Sequence, residues 1–483
     1  MKPQDHAALF KREVLVRLVK AFLTGDLKNN VDRIPVDMRP KDAPSVRCCI
    51  YKERAVARSR CLAGMGLSIG DSDDARSLGS YAEEALQRHT LEEPVLTVID
   101  IACKGCVPAR YVVTEYCQAC LARPCAVNCP FGAIDVSKGR SHIDPLKCKS
   151  CGKCSEVCPY HAITKIVVPC EEACPVHAIN KNEFGVAEID TAECTSCGRC
   201  MRACPFGAVQ SRSQILDVLC KMKEGKKLVA MLAPAIAGQF PVSLGKVAQG
   251  LKKIGFHDVI EVAHGADVTT KNEAKELVER LKNGAPFMTT SCCPAYYETV
   301  KRHIPELLPY VSSTRTPMHY TAEIVKNKDA EAVTVFIGPC MAKKYEGIHD
   351  ELVDYVLSFE ELGALFDGFG IDLNEMEELD MGPLPSKEGR SYAVTTGVAA
   401  AVKVLAEKEG IEVKPVYING LHPASIRQLK AFIKAGCPGN MVEVMVCEGG
   451  CVAGPTVLGN PKTTAKEVKA LSEQAPTLDN SEK

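Results

Sequence analysis

From Lys227 onward, short apolar runs alternate with longer segments in which apolar residues recur every three or four positions. Those are the periodicities of buried strands and amphipathic helices. Leu228 to Leu232, Val259 to Val262, Pro286 to Thr289, Val333 to Ile337, Tyr355 to Ser358, Val413 to Ile418 and Met441 to Val446 predict strands. Val242 to Ile254, Ala266 to Leu281, Ala295 to His303, Gly397 to Glu409 and Ser425 to Ala435 predict helices. Apolar strands separated by helices predict an α/β domain with mostly parallel sheets, in which sites form beyond the carboxyl ends of strands. Upstream the pattern changes. An amphipathic opening segment (Val14, Leu15, Leu18, Val19, Phe22) predicts a helix, a Gly/Ser/Asp stretch runs from Gly64 to Ser80, and Val95 to Ile101 predicts a strand leading into Cys103. Between 103 and 204 cysteines dominate; after Gly207 their density collapses, and Ser211 to Lys227 reads as a helix plus a basic connection. The expected division is 1–95 mixed and helical, 96–210 iron–sulfur, 211–459 catalytic, and 460–483 a short helix with a polar tail.

Charge adds little: 59 basic against 60 acidic residues leave no footprint for nucleic acid. Apolar runs are too short for the ~20 residues of a membrane span, and the opening segment does not resemble a secretory signal. A soluble, cytoplasmic protein is expected. The 26 cysteines in 483 residues change the picture most. Many stand in C-x2-C units, so metal is a better account than disulfides.

Cys148, Cys151, Cys154 and Cys158-Pro159 follow the C-x2-C-x2-C-x3-C-P run of bacterial ferredoxins, and Cys194, Cys197, Cys200 and Cys204-Pro205 repeat it. Cys117, Cys120, Cys125 and Cys129-Pro130 vary it by two inserted residues. In such runs three close thiolates wrap one [4Fe–4S] cube while the fourth ligates its neighbour. Zinc ribbons require neither the third cysteine nor the Cys-Pro ending. The exchange rule gives Cys117, Cys120 and Cys125 the partner Cys158; Cys148, Cys151 and Cys154 take Cys129; Cys194, Cys197 and Cys200 take Cys174. Cys170 and Cys204 are then two ligands short, and Cys103 with Cys106 are left over. Either this distant pair completes a fourth cube, or there are three accessory cubes and four spare thiols. His161 and His177, after Cys-Pro, are expected to be packing or surface residues, and Cys48, Cys49, Cys61, Cys220 and Cys437 ordinary thiols.

In the second half, Thr290-Ser291-Cys292-Cys293-Pro294, Gly338-Pro339-Cys340-Met341-Ala342-Lys343-Lys344 and Cys447-Glu448-Gly449-Gly450-Cys451 each follow a predicted strand, so their cysteines are expected to meet in one pocket. Cys292, beside a ligand cysteine, is left free to give and accept protons. Glu273 and Glu276, spaced i, i+3, share a helix face.

These three stretches resemble the signature motifs of the [FeFe]-hydrogenases, and the likeness covers roughly residues 103 to 455. It implies a hydrogenase-type α/β catalytic domain preceded by ferredoxin-like α+β [4Fe–4S] modules. It also implies an H-cluster, a [4Fe–4S] cube joined to a two-iron unit with CO, cyanide and an azadithiolate bridge. Carried over by motif, Cys293, Cys340, Cys447 and Cys451 would hold the cube, with Cys451 shared; Lys343 would donate to a cyanide; Cys292 would pass protons to the bridge amine. Glu273, Ser312 and Glu276 match the proton relay, and Met445, Ala233 and Pro234 the cavity lining. Ala295-Tyr296, Thr316-Pro317-Met318-His319 and Ala453-Gly454-Pro455-Thr456 depart from the commonest form and resemble the group B branch; Met318 replaces a hydrogen-bond donor. The implied activity is oxygen-sensitive interconversion of H2 with protons and electrons. Three to four accessory cubes would serve it, with a ferredoxin-type carrier and maturation proteins as partners. The alternatives are a hydrogen sensor and an iron–sulfur assembly or electron-transfer protein lacking the two-iron unit.

Overall fold

The structure, a computed structural model, describes residues 6–46, 48–107 and 110–478. Two all-parallel sheets organise the second half. One has the order Asp258–Glu261, Leu228–Leu232, Val333–Ile337, Tyr355–Leu357; the other runs Met288–Thr289, Met441–Met445, Pro415–Asn419. Leu228–Leu232 and Met441–Met445 are inner strands buried at every position; the first reads as an unbroken apolar run, the second is interrupted by buried Glu443. Helices Leu244–Ile254, Ala263–Lys282, Pro294–His303, Pro317–Lys328 and Gly397–Ala406 fill the connections.

The Val95 to Ile101 run is strand only over Leu96–Val98, antiparallel to Val209–Ser211. Asp100–Cys103 turns helical, so Cys103 closes a helical turn rather than following a strand. Between these points lie antiparallel pairs: Arg110–Val113 with Ile163–Ile166, Ile134–Asp135 with His142–Ile143, and Ile179–Lys181 with Ala187–Ile189. Short helices carry cysteines beside them, such as Lys153–Glu156 and Arg199–Ala203.

Residues before 95 form helices His6–Leu23, Leu27–Asn30, Ile34–Met38, Ile50–Gly64 and Leu78–Gln87. Their apolar faces merge with the catalytic core: Leu15, Leu18 and Val19 are buried in the same cluster as Leu228 to Leu232 and Phe359. The first helix lies on Phe359–Phe369, where Gly368 leaves room for Val19; a Cβ there would meet Val19 Cγ1 at 2.4 Å. Lys11 Nζ to Glu360 Oε2 (2.6 Å) and Arg12 Nε to Asp367 Oδ2 (2.8 Å) edge the contact. The C-terminal helix Pro461–Glu473 is likewise fastened, since Arg390 Nη1 donates to Leu471 O at 2.9 Å. No helix among the described residues is long and apolar enough to cross a membrane.

One buried ion pair ties the segment that follows the iron–sulfur region to the catalytic sheets. Lys344, fully buried, donates to Glu361 Oε1 (3.0 Å) and to Arg212 O (3.1 Å). Glu361 also accepts from Ser213 and completes the capping box of Phe359–Phe369. Removing one partner strands the other charge, at roughly 3–5 kcal/mol. Lys344→Met should therefore lower thermal stability by about that amount, and adding Glu361→Gln should recover part of the loss; a melting curve of Lys344→Met matching wild type would contradict this.

Candidate functional site

The cysteine-rich region is built from a repeated hydrogen-bond unit. Cys129, Cys158, Cys174 and Cys204 each accept, at Sγ, the amide four residues on: Ala133 (3.4 Å), Ala162 (3.4 Å), Ala178 (3.2 Å) and Ala208 (3.3 Å). The residue before that amide is left-handed in every case: Gly132 (φ 57°), His161 (φ 49°), His177 (φ 57°) and Gly207 (φ 55°). The two histidines thus hold turn positions that glycine fills in the sister units. Ser150 and Ser196, also left-handed, donate their amides to Cys148 and Cys194, both at 3.4 Å. Such N–H···S contacts stabilise thiolate and tune cluster potential.

Cys129, Cys148, Cys151 and Cys154 line one small cavity, and Cys117, Cys120, Cys125 and Cys158 line another. Cys194, Cys197 and Cys200 each feel Cys174; burial, then these neighbours, raises all three thiols, Cys197 to about 11. Among the described residues no three cysteine sulfurs lie within 4.8 Å of one another, whereas a single zinc, with Zn–S of about 2.3 Å, would draw its thiolates to about 3.8 Å.

Both parallel sheets feed the second-half site. Cys340 follows Val333–Ile337 of the four-stranded sheet; Cys293 follows Met288–Thr289, and Cys447 and Cys451 follow Met441–Met445, in the three-stranded one. Cys293 and Cys340 are the N-caps of Pro294–His303 and Met341–Ile348, which aims two helix N-termini at the sulfurs. The return from Cys447 to Cys451 needs glycine: Gly450 has φ 93°, and a Cβ there would meet Ala393 O at 2.7 Å. Burial and then mutual repulsion raise the Cys340 and Cys447 thiols, and Cys451 rises to about 12. Lys343, 8% exposed, opposes this at Cys293, Cys340 and Cys451. Four converging thiols with one cation are a fitting donor set for an anionic iron–sulfur group. Cys197 adds to the repulsion at Cys447, so the quartet with Cys174 lies next to this site.

Beside the quartet lie two hydrogen-bonded groups, one around Glu276 and one around Glu273. Arg280 pairs with Glu276 (2.6 Å), Ser312 Oγ donates to Glu276 Oε2 (2.6 Å), and Glu273 Oε1 accepts from Ser291 N (2.9 Å) and Oγ (3.0 Å). Burial would raise Glu276, but Ser312, Ser313 and Arg280 hold it below the ordinary carboxylate value. Glu273 is fully buried; desolvation lifts it to about 7 despite the Ser291 bonds. Its Oε2 has no hydrogen-bond partner among the described residues. Burial first, then Glu273 and Cys293, raise Cys292 well above an ordinary thiol. Met445 packs with Cys292, Ala266, Tyr392 and Val398; Met318 is fully buried, and Ala233 and Pro234 are buried where Leu228–Leu232 ends.

Several contacts lay outside the sequence reading. Lys343 Nζ is held by Glu346 Oε2 (2.7 Å), which in turn accepts from Thr316 Oγ1 (2.5 Å). His319 Nδ1 hydrogen-bonds Asp350 Oδ2 (2.8 Å). Buried Glu443 accepts Thr396 N (2.6 Å) and Ala399 N (2.8 Å) at the start of Gly397–Ala406, and buried Tyr392 shares a 2.8 Å hydrogen bond with Thr270 Oγ1. Cys61 is buried and pushed up to about 12 by desolvation, whereas Cys48 and Cys49 are exposed.

Residues 226–455 match the family model for the iron-only hydrogenase large subunit, C-terminal domain. Residues 164–215 match the LdpA Fe–S cluster-binding domain and 141–164 a 4Fe–4S binding domain. The periplasmic [Fe] hydrogenase large subunit of Nitratidesulfovibrio vulgaris is 34% identical over 373 residues, 65% of this chain and 85% of that protein. Iron hydrogenase 1 of Clostridium pasteurianum is 28% identical over 51% of this chain and 52% of its own length, so the chain spans about half of that relative. Cytosolic iron–sulfur assembly component 3 of Rattus norvegicus is 25% identical over 46% of this chain and 59% of that protein. The chain belongs to the iron-only, or [FeFe], hydrogenase family. At that level it is a hydrogenase-like iron–sulfur protein.

Glu273 gives a signed pH test. Its carboxyl titrates near 4.3 when unfolded and at about 7 when folded. The fold therefore carries no penalty below the unfolded value, an increasing one as pH rises between the two, and the full penalty, roughly 3 kcal/mol, above 7. Glu273→Gln should raise the melting temperature relative to wild type at pH 8 and leave it nearly equal at pH 4.5; the same difference at both pH values would contradict the assignment.

Proposed function

We propose that this chain is an [FeFe]-hydrogenase catalysing reversible H2 oxidation and proton reduction, resembling the group B branch. The observation that carries the reading is the convergence of Cys293, Cys340, Cys447 and Cys451 beside Lys343, with the Glu276–Ser312–Glu273 line leading to Cys292. The H-cluster, when bound, supplies an open iron that accepts hydride and a basic amine that accepts the proton. The chain's residues hold and serve that group. Cys293, Cys340, Cys447 and Cys451 would hold the cube. Lys343, restrained by Glu346, presents a charge-assisted donor to a cyanide nitrogen. Met318, Met445, Ala233 and Pro234 close the cavity to water.

Protons enter at Glu276, half-buried beside Arg280, and pass by Ser312 Oγ to Glu273. A carboxyl held near neutrality suits a relay because it gives and takes a proton with little free-energy change. Cys292 is the last group before the amine. Electrons travel through the accessory cubes to a ferredoxin-type carrier, and hydrogenase maturation proteins install the two-iron unit.

A second reading is iron–sulfur assembly without the two-iron unit, supported by the name of the 25% identical relative. H2 sensing is the remaining alternative. The proton line favours catalysis, since a protein that only stores or delivers clusters has no use for it. Cys292→Ala and Glu276→Gln should each cut viologen-driven H2 evolution by roughly 10²-fold or more with iron content unchanged. Wild-type turnover in both would overturn the relay.

A further inference from the structure

The cysteines left over by the ferredoxin spacing meet in space. Cys103 and Cys170 are buried in one apolar cluster with Cys204 packed against it, and Cys204, Cys103 and Cys106 are all close enough to act electrostatically on Cys170. The first half-motif of the inner ferredoxin-like unit retains only Cys170 and Cys174, with Thr164 and Val167 where its first two cysteines would stand. We propose that Cys103 and Cys106, more than sixty residues upstream, replace those two, and that with Cys170 and Cys204 they hold a fourth accessory [4Fe–4S] cube. This rests on the iron–sulfur reading of the region, not on hydrogen chemistry at the second-half site.

Independent contacts support the site. Cys103 Sγ accepts Ala187 N at 3.1 Å and Lys181 Nζ at 3.5 Å, while Lys181 is held by Cys103 O (3.0 Å) and Gly185 O (2.6 Å). Cys204 Sγ takes the Ala208 amide at 3.3 Å, as the fourth cysteines of the sister units take theirs. An amide and an ammonium aimed at one buried sulfur are arranged for a thiolate. Four thiolates, one C-x2-C pair and two separate cysteines, match the ligand count of a cube.

The position gives the cube its role. Cys170 contributes to the repulsion at Cys200, so this quartet adjoins the one with Cys174, which adjoins Cys447. Strand Ile163–Ile166, paired with Arg110–Val113, leads directly from the outer unit into the helix bearing Cys170. The cube therefore links the outer pair to the inner one. It takes one electron from a neighbouring cube and gives one to the next, reduced by the external carrier or by the catalytic site, with no bond made or broken.

The test uses full-length chain produced without maturation proteins, so that the two-iron unit does not enter the result. Iron and sulfide should total about twenty each per chain, and Cys103→Ser/Cys106→Ser should lose about four of each. Cys170→Ser/Cys204→Ser should lose the same four, and the quadruple variant no more. An unchanged count in the double variants would overturn the proposal. Should they fail to fold, native wild-type protein answers directly. Brief alkylation read by mass spectrometry should modify exposed Cys48 and Cys49 and spare Cys106; modification of Cys106 at the rate of Cys48 would overturn it. Lys181→Met should keep the iron and shift one cube to a more negative midpoint potential, because a positive charge beside a sulfur favours the reduced state; an unshifted potential would contradict Lys181 facing a cluster thiolate.

Discussion

Burying thiolates is the constraint on which the rest of this structure depends. A sulfur anion withdrawn from water is costly unless it is paired, hydrogen-bonded or bound to metal. Cys197, Cys340, Cys447 and Cys451 are all pushed upward, by burial first and then by neighbouring cysteines. The protein answers with amides, helix N-termini and one lysine. Ala133, Ala162, Ala178 and Ala208 donate to fourth-position sulfurs, two helices start at Cys293 and Cys340, and Lys343 supplies a full charge. These offset part of the cost, and iron must supply the remainder, so metal binding and the final fold are coupled.

Architecture follows from bringing distant sulfurs together. Two parallel sheets present their carboxyl ends to one site, one through Cys340 and the other through Cys293, Cys447 and Cys451. The inner iron–sulfur unit is locked against that site at close range. Gly198 has φ 75°, and a Cβ there would meet Met341 Cγ and Pro455 Cγ, both at 2.8 Å; Arg202 Nη1 donates to Ala453 O at 2.6 Å. Pro455 is one of the departures from the commonest family form, and its contact lies at this junction between wire and site. The amino-terminal helices extend the same core and brace Phe359–Phe369 from behind.

What could be read from the chain alone was whatever depends on local spacing. The three ferredoxin-like runs are legible because three ligands of each lie within nine residues, and the parallel sheets because their inner strands are dominated by apolar residues. His161 and His177 read as packing or surface residues, and the structure gives them a turn role: a left-handed residue lets the next amide reach a sulfur. Long-range pairings left no such trace. Glu443 looks like a break in an apolar strand, and only the fold brings the helix at Thr396 to it. Tyr392 meets Thr270 across 122 positions, and Lys344 looks like a surface lysine until Glu361 and Arg212 enclose it. Lys343 was expected to point at a ligand, whereas its partner Glu346 lay three residues on without being singled out.

The central claim is that the pocket formed by Cys293, Cys340, Cys447 and Cys451, with Cys292 and Lys343 beside it, takes a two-iron unit and not a cube alone. Infrared spectroscopy of protein matured without oxygen tests it most directly. The account predicts carbonyl and cyanide stretching bands in wild type, with the cyanide bands displaced in Lys343→Met. Protein with its accessory cubes in place that shows neither set of bands after maturation would contradict it.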